Sequence, residues 1–297
     1  MSKPRVSVGM PVYNREKYVA ASIEAHLNQT YSDFELIITD NASTDASGEI
    51  CRAYAARDSR VHYHLNPRNL GAAGNYNRCF ELSTGEFFRW TPSDDLVSPN
   101  LLQRAVAVLD SDTTIFVAYP KTKLIDAEGN ITGDFDEGLH LMDERPSDRW
   151  KGVQRNLRLG NLHYGLNRRE LFQKTGLLRN YNGGDFPLIA EMSLYGKFYE
   201  IPDAFFYRRM HEEASSAMKS SADVMAFYDP KKREKLFLYN WVHWGANLQS
   251  VVRAPISLGE KLNIVGFQAR SIFWSRRVYL NEVAGAVGHA ARKINPS

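Results

Sequence analysis

The segment FFRWTPSDDLVSP, residues 87–99, sets two adjacent acids, Asp94 and Asp95, behind an aromatic run that reads as a buried strand. No Lys or Arg stands beside them to neutralise the charge. Two kinds of chemistry fit. Pro92, Ser93 and Asp94 are turn-forming and helix-capping types, so the pair can mark an exposed turn or a helix entry. Alternatively, the carboxylates hold a hard cation through oxygen, and the cation in turn holds something anionic. The two acids alone leave both open.

The elements that must position them are periodic. RVSVGMPVY, FELIITD, RVHYHL and EFFRW read as strands, and REKYVAASIEAHLNQ, ASGEICRAYAARD and GAAGNYNRCFELS read as the helices between them. Strand alternating with helix through short links predicts an α/β fold, a mostly parallel central sheet flanked by helices. In such sheets ligands sit at the carboxyl ends of the strands. Polar residues fall at all four ends: Pro11, Tyr13 and Asn14; Asp40, Asn41 and Ser43; Asn69 and Gly71; Asp94 and Asp95. No Gly-x-Gly-x-x-Gly follows the first strand, which argues against a dinucleotide cradle. After Pro99 the pattern predicts a helix over NLLQRAVAVLDSD, a strand over TIFVAYP and a hairpin around DAEGNITGD. Residues 134–158 are charged and weakly periodic, a mobile loop or short helices beside a site, or else a surface insertion.

Composition sets bounds. With 297 residues, 43% of them hydrophobic, the chain can bury a sizeable core. The net charge of +3 does not point to nucleic acid, but it is uneven: from residue 228 on there are eleven Lys and Arg against four Asp and Glu. Cys51 and Cys79 have neither disulfide nor zinc spacing, which fits a reducing compartment. No apolar run resembles a signal-peptide core or reaches the roughly 18 residues of a spanning helix. The expected location is cytoplasmic, free or peripheral at the inner face of a membrane.

VSVGMPVYNREKYVAASIEAHLNQTYSDFELIITDNASTD, then NPRNLGAAGNYNRCFELSTGEFF, then SDD resembles the amino-terminal domain of the family 2 glycosyltransferases, nucleotide-sugar enzymes of GT-A fold. The resemblance runs from residue 4 to about 215. It implies a GT-A catalytic domain over 1–227, with a nucleotide-binding half to about 98 and an acceptor-side half over 99–227, and a helical carboxyl-terminal extension over 228–297. It places Pro11, Tyr13, Asn14 and Asp40 on the nucleotide base and ribose. An aspartate suits uracil because a charged acceptor strengthens the hydrogen bond from N3–H. Asn69 and Gly71 fall on the segment that closes against the base, and Ser93 and Asp94 also lie on the nucleotide side. The family's metal motif is Asp-x-Asp; Pro92 stands at its first aspartate, so only Ser93, Asp94 and Asp95 remain. The resemblance implies a Mn²⁺ or Mg²⁺ ion on Asp94, Asp95 and His211, bound largely through the donor's diphosphate.

YNGGDFPLIAEM resembles the segment carrying the family's catalytic base, which lands on Asp185, and FYRRMHEEASS resembles its Tyr-Arg-x-His segment, with Arg208 and Arg209 near phosphate. Asp185, at a helix start, is expected to be exposed and ionised; the N-cap role suits it equally. The implied activity is inverting transfer of a sugar from a nucleotide sugar, a UDP-sugar foremost, to a hydroxyl of a glycan or lipid-linked glycan. A catalytically lapsed sugar-nucleotide binding protein and a sugar nucleotidyltransferase are the alternatives. The tail interleaves Trp241, Trp244, Phe273, Trp274 and Tyr279 with bases, a pattern for an anionic bilayer surface or for packing on the catalytic domain or a second subunit.

Overall fold

The computed structural model describes residues 3–212 and 238–294. The boundary expected at 227/228 and the bases Lys231, Lys232, Arg233 and Lys235 lie outside them. The first half is β1 (Val6–Val12), α1 (Val19–Leu27), β2 (Phe34–Asp40), α2 (Ser47–Arg57), β3 (Val61–Leu65), α3 (Ala72–Leu82), β4 (Phe87–Trp90), β5 (Leu96–Val97) and α4 (Leu101–Ser111). The second is β6 (Ile115–Ile125), β7 (Ile131–Phe135), α5 (Pro146–Asn156), β8 (Leu166–Arg168), α6 (Arg169–Phe172), α7 (Asp185–Tyr195) and β9 (Lys197–Arg209). Three helices close the chain: α8 (Tyr239–Arg253), α9 (Leu258–Trp274) and α10 (Arg276–Ile294).

One sheet runs in the order β3-β2-β1-β4-β8-β6-β9-β5, with β7 paired to β6. Its β3-β2-β1-β4 half is wholly parallel, whereas β8, β5 and β7 pair antiparallel. Every residue of β1 and β2 is buried, as a strand covered by helices on both faces requires. Gly9 lets α3 close on β1, since a Cβ there would stand 2.5 Å from the Cys79 Cβ.

Two cores lie on opposite faces. One joins β1 and β2 to α1 and α4 through Val8, Ile23, Leu36 and Leu102. The other gathers Phe88, Trp90, Trp150, Phe172 and Ile189, and it includes Val251 and Ile264 from the last helices. Packing on the catalytic domain, one of the expectations for the tail, therefore holds for α8 and for α9 at Ile264. Leu262, Phe273, Trp274 and Leu280 remain exposed.

Within residues 134–158 the short-helix reading holds: after the end of β7 and an irregular stretch over 136–145 comes α5, whose Trp150 and Val153 are fully buried, so the segment is no surface insertion. Arg149 turns inward, donating to the carbonyls of Asp143, Glu144 and Ser193. Glu260 of α9 accepts from the Ser147 N–H and the Arg145 guanidinium, capping α5 from the tail. Truncation of a side chain buried as Trp150 is costs about 3–5 kcal/mol.

Candidate active site

The four strand ends are tied together on one sheet edge. After β1, Asn14 (φ 50) receives the Thr44 N–H on its Oδ1 and donates its own N–H to Ser43 Oγ. Asp40, 2% exposed, accepts from the Ser43 N–H at 2.9 Å and the Tyr63 hydroxyl at 2.7 Å. A carboxylate has about four lone-pair positions, and these two bonds use one on each oxygen. Asn41 donates to Asn69 Oδ1, which also accepts the Gly71 N–H. Gly71 has φ 76, a conformation that favours glycine. Pro11 and Ser93 are buried behind this edge, while Tyr13 projects from it, 41% exposed.

The two acids divide their work. Asp94 Oδ2 accepts from Arg15 Nε at 2.9 Å and lies 3.2 Å from His211 Nε2. Burial alone would raise its carboxyl, but the His211 hydrogen bond and the Arg15 charge outweigh burial and hold it below the ordinary range. Asp95 faces another way, accepting the Arg209 N–H at 2.7 Å and so fixing the end of β9. Burial and the neighbouring Asp94 push its carboxyl well up. A base does stand beside the acids: Arg15 is brought to Asp94 by the fold, which the sequence does not reveal. The only local signal is its position just after β1, on the edge where ligands bind.

Arg208 and Arg209 also part. The Arg209 guanidinium donates to the carbonyls of Asp94, Asp126 and Ala127 and stacks over Tyr18, 5.0 Å from the ring centre. Arg208 instead lines a cavity of about 280 Å³ together with Asp185. Its Nη1 donates to Asn161 Oδ1 at 2.5 Å. The loop bearing Asn161 is gathered by Glu137, whose carboxylate accepts the N–H groups of Arg158, Gly160 and Asn161.

Asp185 opens α7 and is half-buried, not exposed as its place at a helix start suggests. Burial lifts its carboxyl to about 6, against the lowering effects of its own and the Phe186 N–H, His243 and Arg208. Gly160 (φ 70) lets the loop pass close by, since a Cβ there would lie 3.0 Å from Asp185 Oδ2. Gly183 (φ 69) admits α8, since its Cβ would meet Tyr239 Oη at 2.8 Å. Arg158, Arg179, Tyr76 and Tyr164 complete much of the cavity wall. Tyr76 and Tyr164 bridge the two groups of acids: Asp94 and Asp95 act on the Tyr76 hydroxyl, Asp95 and Asp185 on that of Tyr164, and burial is the main cause of the upward shift in both.

The sequence model of glycosyl transferase family 2 matches residues 7–176, more than half of the chain. The chain belongs to glycosyl transferase family 2. An uncharacterized glycosyltransferase of Methanocaldococcus jannaschii is 34% identical over 137 residues, 46% of this chain and 47% of that protein. Chondroitin synthase of Escherichia coli is 27% identical over 219 residues, 73% of this chain but 30% of the synthase. The match thus spans half or less of these relatives. Among solved structures, S. aureus TarS 1-349 in complex with UDP-GlcNAc superposes with a TM-score of 0.68 at 18% identity, covering 94% of this chain and 79% of that one. Mannosyltransferase PcManGT from Pyrobaculum calidifontis, in complex with GDP-Man and Mn²⁺, gives 0.52 at 18% identity, covering 99% and 88%. The fold is the GT-A fold, with a helical carboxyl-terminal region.

The cation set expected in such a family member, Asp94, Asp95 and His211, is brought together only at Asp94 and His211. Among the described residues, no three His, Cys, Asp or Glu side chains group as an all-protein metal site. His211 is nearly buried, and its Nδ1 has no partner among the described residues. The Asp94 carboxylate is the oxygen ligand that Mg²⁺ or Mn²⁺ would use, with phosphate and water completing the set, and the His211 imidazole 3.2 Å away would be its one nitrogen ligand.

Proposed function

We propose that the chain is an inverting glycosyltransferase that moves a sugar from a nucleotide sugar, foremost a UDP-sugar, to a hydroxyl of a glycan or lipid-linked glycan. The observation that carries this reading is the Asp185 cavity: a carboxyl with a pKa lifted to about 6, at the start of a helix, sharing its walls with Arg208. A base in that range is ionised at neutral pH yet holds a proton better than an ordinary aspartate, which is what general-base catalysis needs. Asp185 takes the proton of the acceptor hydroxyl, whose oxygen bonds to the anomeric carbon as the bond from that carbon to the diphosphate oxygen breaks. The nucleoside diphosphate departs with its electron pair, and configuration inverts in the single displacement. Arg208 faces the charge that grows on the departing group. A divalent cation on Asp94 and His211 would supply Lewis-acid neutralisation of the same charge.

On the donor side, Tyr13 offers an exposed ring to the base, and Asp40 keeps lone pairs for a base N–H. Asn14, Asn69 and Gly71 shape the edge around them, with Pro11 and Ser93 behind. Asp95 and Arg209 hold β9, and through it Arg208 and His211, in register. The exposed Phe273, Trp274 and Leu280, with Arg276 and Arg277 beside them, support contact with an anionic membrane face or a second copy of the chain. No described helix is long and apolar enough to cross a membrane.

Calorimetric titration with UDP, GDP and dTDP, each with and without Mn²⁺, tests the reading. UDP is expected to bind, and to bind more tightly with Mn²⁺. If the folded chain bound none of the three, the transferase reading would fall. Metal-independent binding would confine the failure to the cation and leave Arg15 and Arg208 as the cationic groups nearest the diphosphate.

A further inference from the structure

A second cavity, of about 320 Å³, lies between α5, α8, α9 and the start of α10. It meets the Asp185 cavity at Phe186 and Tyr239, which line both. Trp150, Trp244, Phe267 and Gln268 border it, and no Asp, Glu, Lys or Arg does. His243 of α8 stands on the same border, yet it also reaches the Asp185 side. Gly183 lines the first cavity, and a Cβ there would lie 3.1 Å from His243 Cε1.

The turn over 179–184, which delivers Asp185, is closed by its own backbone. The Tyr181 N–H donates to the Arg179 carbonyl and the Gly184 N–H to the Tyr181 carbonyl, both at 2.9 Å. The Asn182 carbonyl turns instead to α8, where His243 Nε2 lies 3.2 Å from it. A carbonyl oxygen only accepts, so the imidazole carries its proton on Nε2. Burial holds the ring toward its neutral form, which makes the contact a neutral hydrogen bond. Three rings fix the imidazole: Tyr239 of its own helix at 4.2 Å between centres, Tyr181 of the turn at 5.3 Å and Phe186 of α7 at 6.4 Å. Arg179, at the other end of the turn, bonds Gln249 of α8 through side chains at the surface. The His243 bond is to the backbone, immediately before Gly183 (φ 69) and Gly184. Two glycines in a row leave the chain its widest freedom, so a carboxylate that follows them stays in place only if the turn is held from outside.

We propose that His243 is a positioning residue for Asp185: α8, through the His243 N–H on the Asn182 carbonyl, fixes the turn from which the Asp185 carboxylate enters its cavity. That the positioned carboxylate is the base rests on the transferase reading; the hold on the turn does not. The tail is then part of the catalytic unit, although the family match ends at residue 176, before α7 begins.

The test compares, in the full chain, His243→Leu with His243→Gln, whose amide nitrogen can stand where Nε2 stands. Hydrogen exchange reads the turn: the Tyr181, Gly184 and Phe186 amides should exchange at least about fivefold faster in His243→Leu and within about twofold of wild type in His243→Gln. Release of UDP from UDP-glucose or UDP-N-acetylglucosamine, with Mn²⁺ present and water as acceptor, reads the carboxylate. His243→Leu should lose about tenfold or more in kcat at unchanged UDP affinity, and His243→Gln should recover most of it. Placed on Asp185→Asn, His243→Leu should cost nothing further, because a residue that acts through another is not additive with its loss. Unchanged exchange in His243→Leu, equal losses of rate in the two variants, or a full further loss on Asp185→Asn would overturn the proposal. A wild-type rate in Asp185→Asn, or a folded chain that releases UDP from neither donor, would count against the transferase reading instead, and the exchange result would then decide by itself whether His243 holds the turn.

Discussion

The two cavities share a wall at Phe186 and Tyr239, yet one is built from charges and the other from neutral groups. Asp185, Arg158, Arg179 and Arg208 line the first; aromatic rings and amides line the second. The difference follows from where the residues sit. The charged groups stand mostly at helix starts, strand ends and short loops, where a side chain can face a ligand without crossing the core. The neutral groups stand largely within helices, where burial excludes an unpaired charge. Charge can move protons and stabilise a leaving group; neutral surface can only select a shape.

The largest effect should come from Asp185→Asn. Loss of a general base lowers rate about 10²–10⁴-fold, with nucleotide affinity unchanged, as steady-state kinetics and calorimetry would separate. A rate within a few-fold of wild type would remove Asp185 from the mechanism. In the wild type, kcat should fall below pH about 6, tenfold per unit, as the carboxyl protonates. The sign for stability is opposite. A pKa raised in the folded state means the fold binds the proton more tightly than the unfolded chain, so this contribution is present in acid and is lost as pH rises from the ordinary 3.8 to about 6. Asp185→Asn should therefore flatten the stability profile across that window while lowering turnover.

Arg208→Ala comes next. It removes a cation facing the leaving group, an effect of about 10²-fold on kcat by analogy with other preorganised donors. Arg209→Ala should act differently. Its guanidinium serves three carbonyls, so the loss should appear in stability first. If both variants lost kcat equally at unchanged stability, the division of labour drawn between them would be wrong.

The parallel half of the sheet was legible because its strands and helices obey period and turn chemistry locally: β1 to β4 and α1 to α4 fall on the segments predicted for them. The rest depended on contacts between distant residues. Arg15 meets Asp94 because β1 and β4, far apart in sequence, pair side by side, and no local pattern records it. A short helix at α5 was one of the readings left open, but its burial was hidden because Arg149 and its charged neighbours lower the apparent hydrophobicity, although Arg149 is satisfied by carbonyls inside the fold. The position of Asp185 at a helix start was readable, but its burial was not, since that depends on the 160 loop and on α8 closing over it. The neutral cavity was invisible for the same reason: Trp150 and Gln268 are far apart in sequence and meet only after α9 docks.

Gly183 tests the junction of the two cavities. Its φ of 69 already disfavours any other residue, by about 1–2 kcal/mol, and a Cβ would press on Tyr239. Gly183→Ala should shift Asp185 and lower kcat by about tenfold or more, since small misplacements of a catalytic group are costly. An unchanged kcat would mean that the start of α7 tolerates displacement and that the two chambers are mechanically independent.

The smallest effect concerns how the tail is held. Glu191 of α7, 1% exposed, accepts from Arg253 of α8 at 2.9 Å and from the Gly176 N–H at 2.8 Å. Removing one partner of a fully buried pair costs about 3–5 kcal/mol, but the Arg253 side chain is 41% exposed, so solvent screens the attraction and the amide remains. Arg253→Ala should therefore cost about 1–2 kcal/mol in denaturant unfolding, less than a dry pair would. Because Arg253 touches neither cavity, kcat and nucleotide affinity should stay near wild type at temperatures where the variant is folded. A loss of turnover in this variant at unchanged nucleotide affinity would show that α8 cannot loosen without displacing Asp185, and that the charged and neutral chambers move as one body.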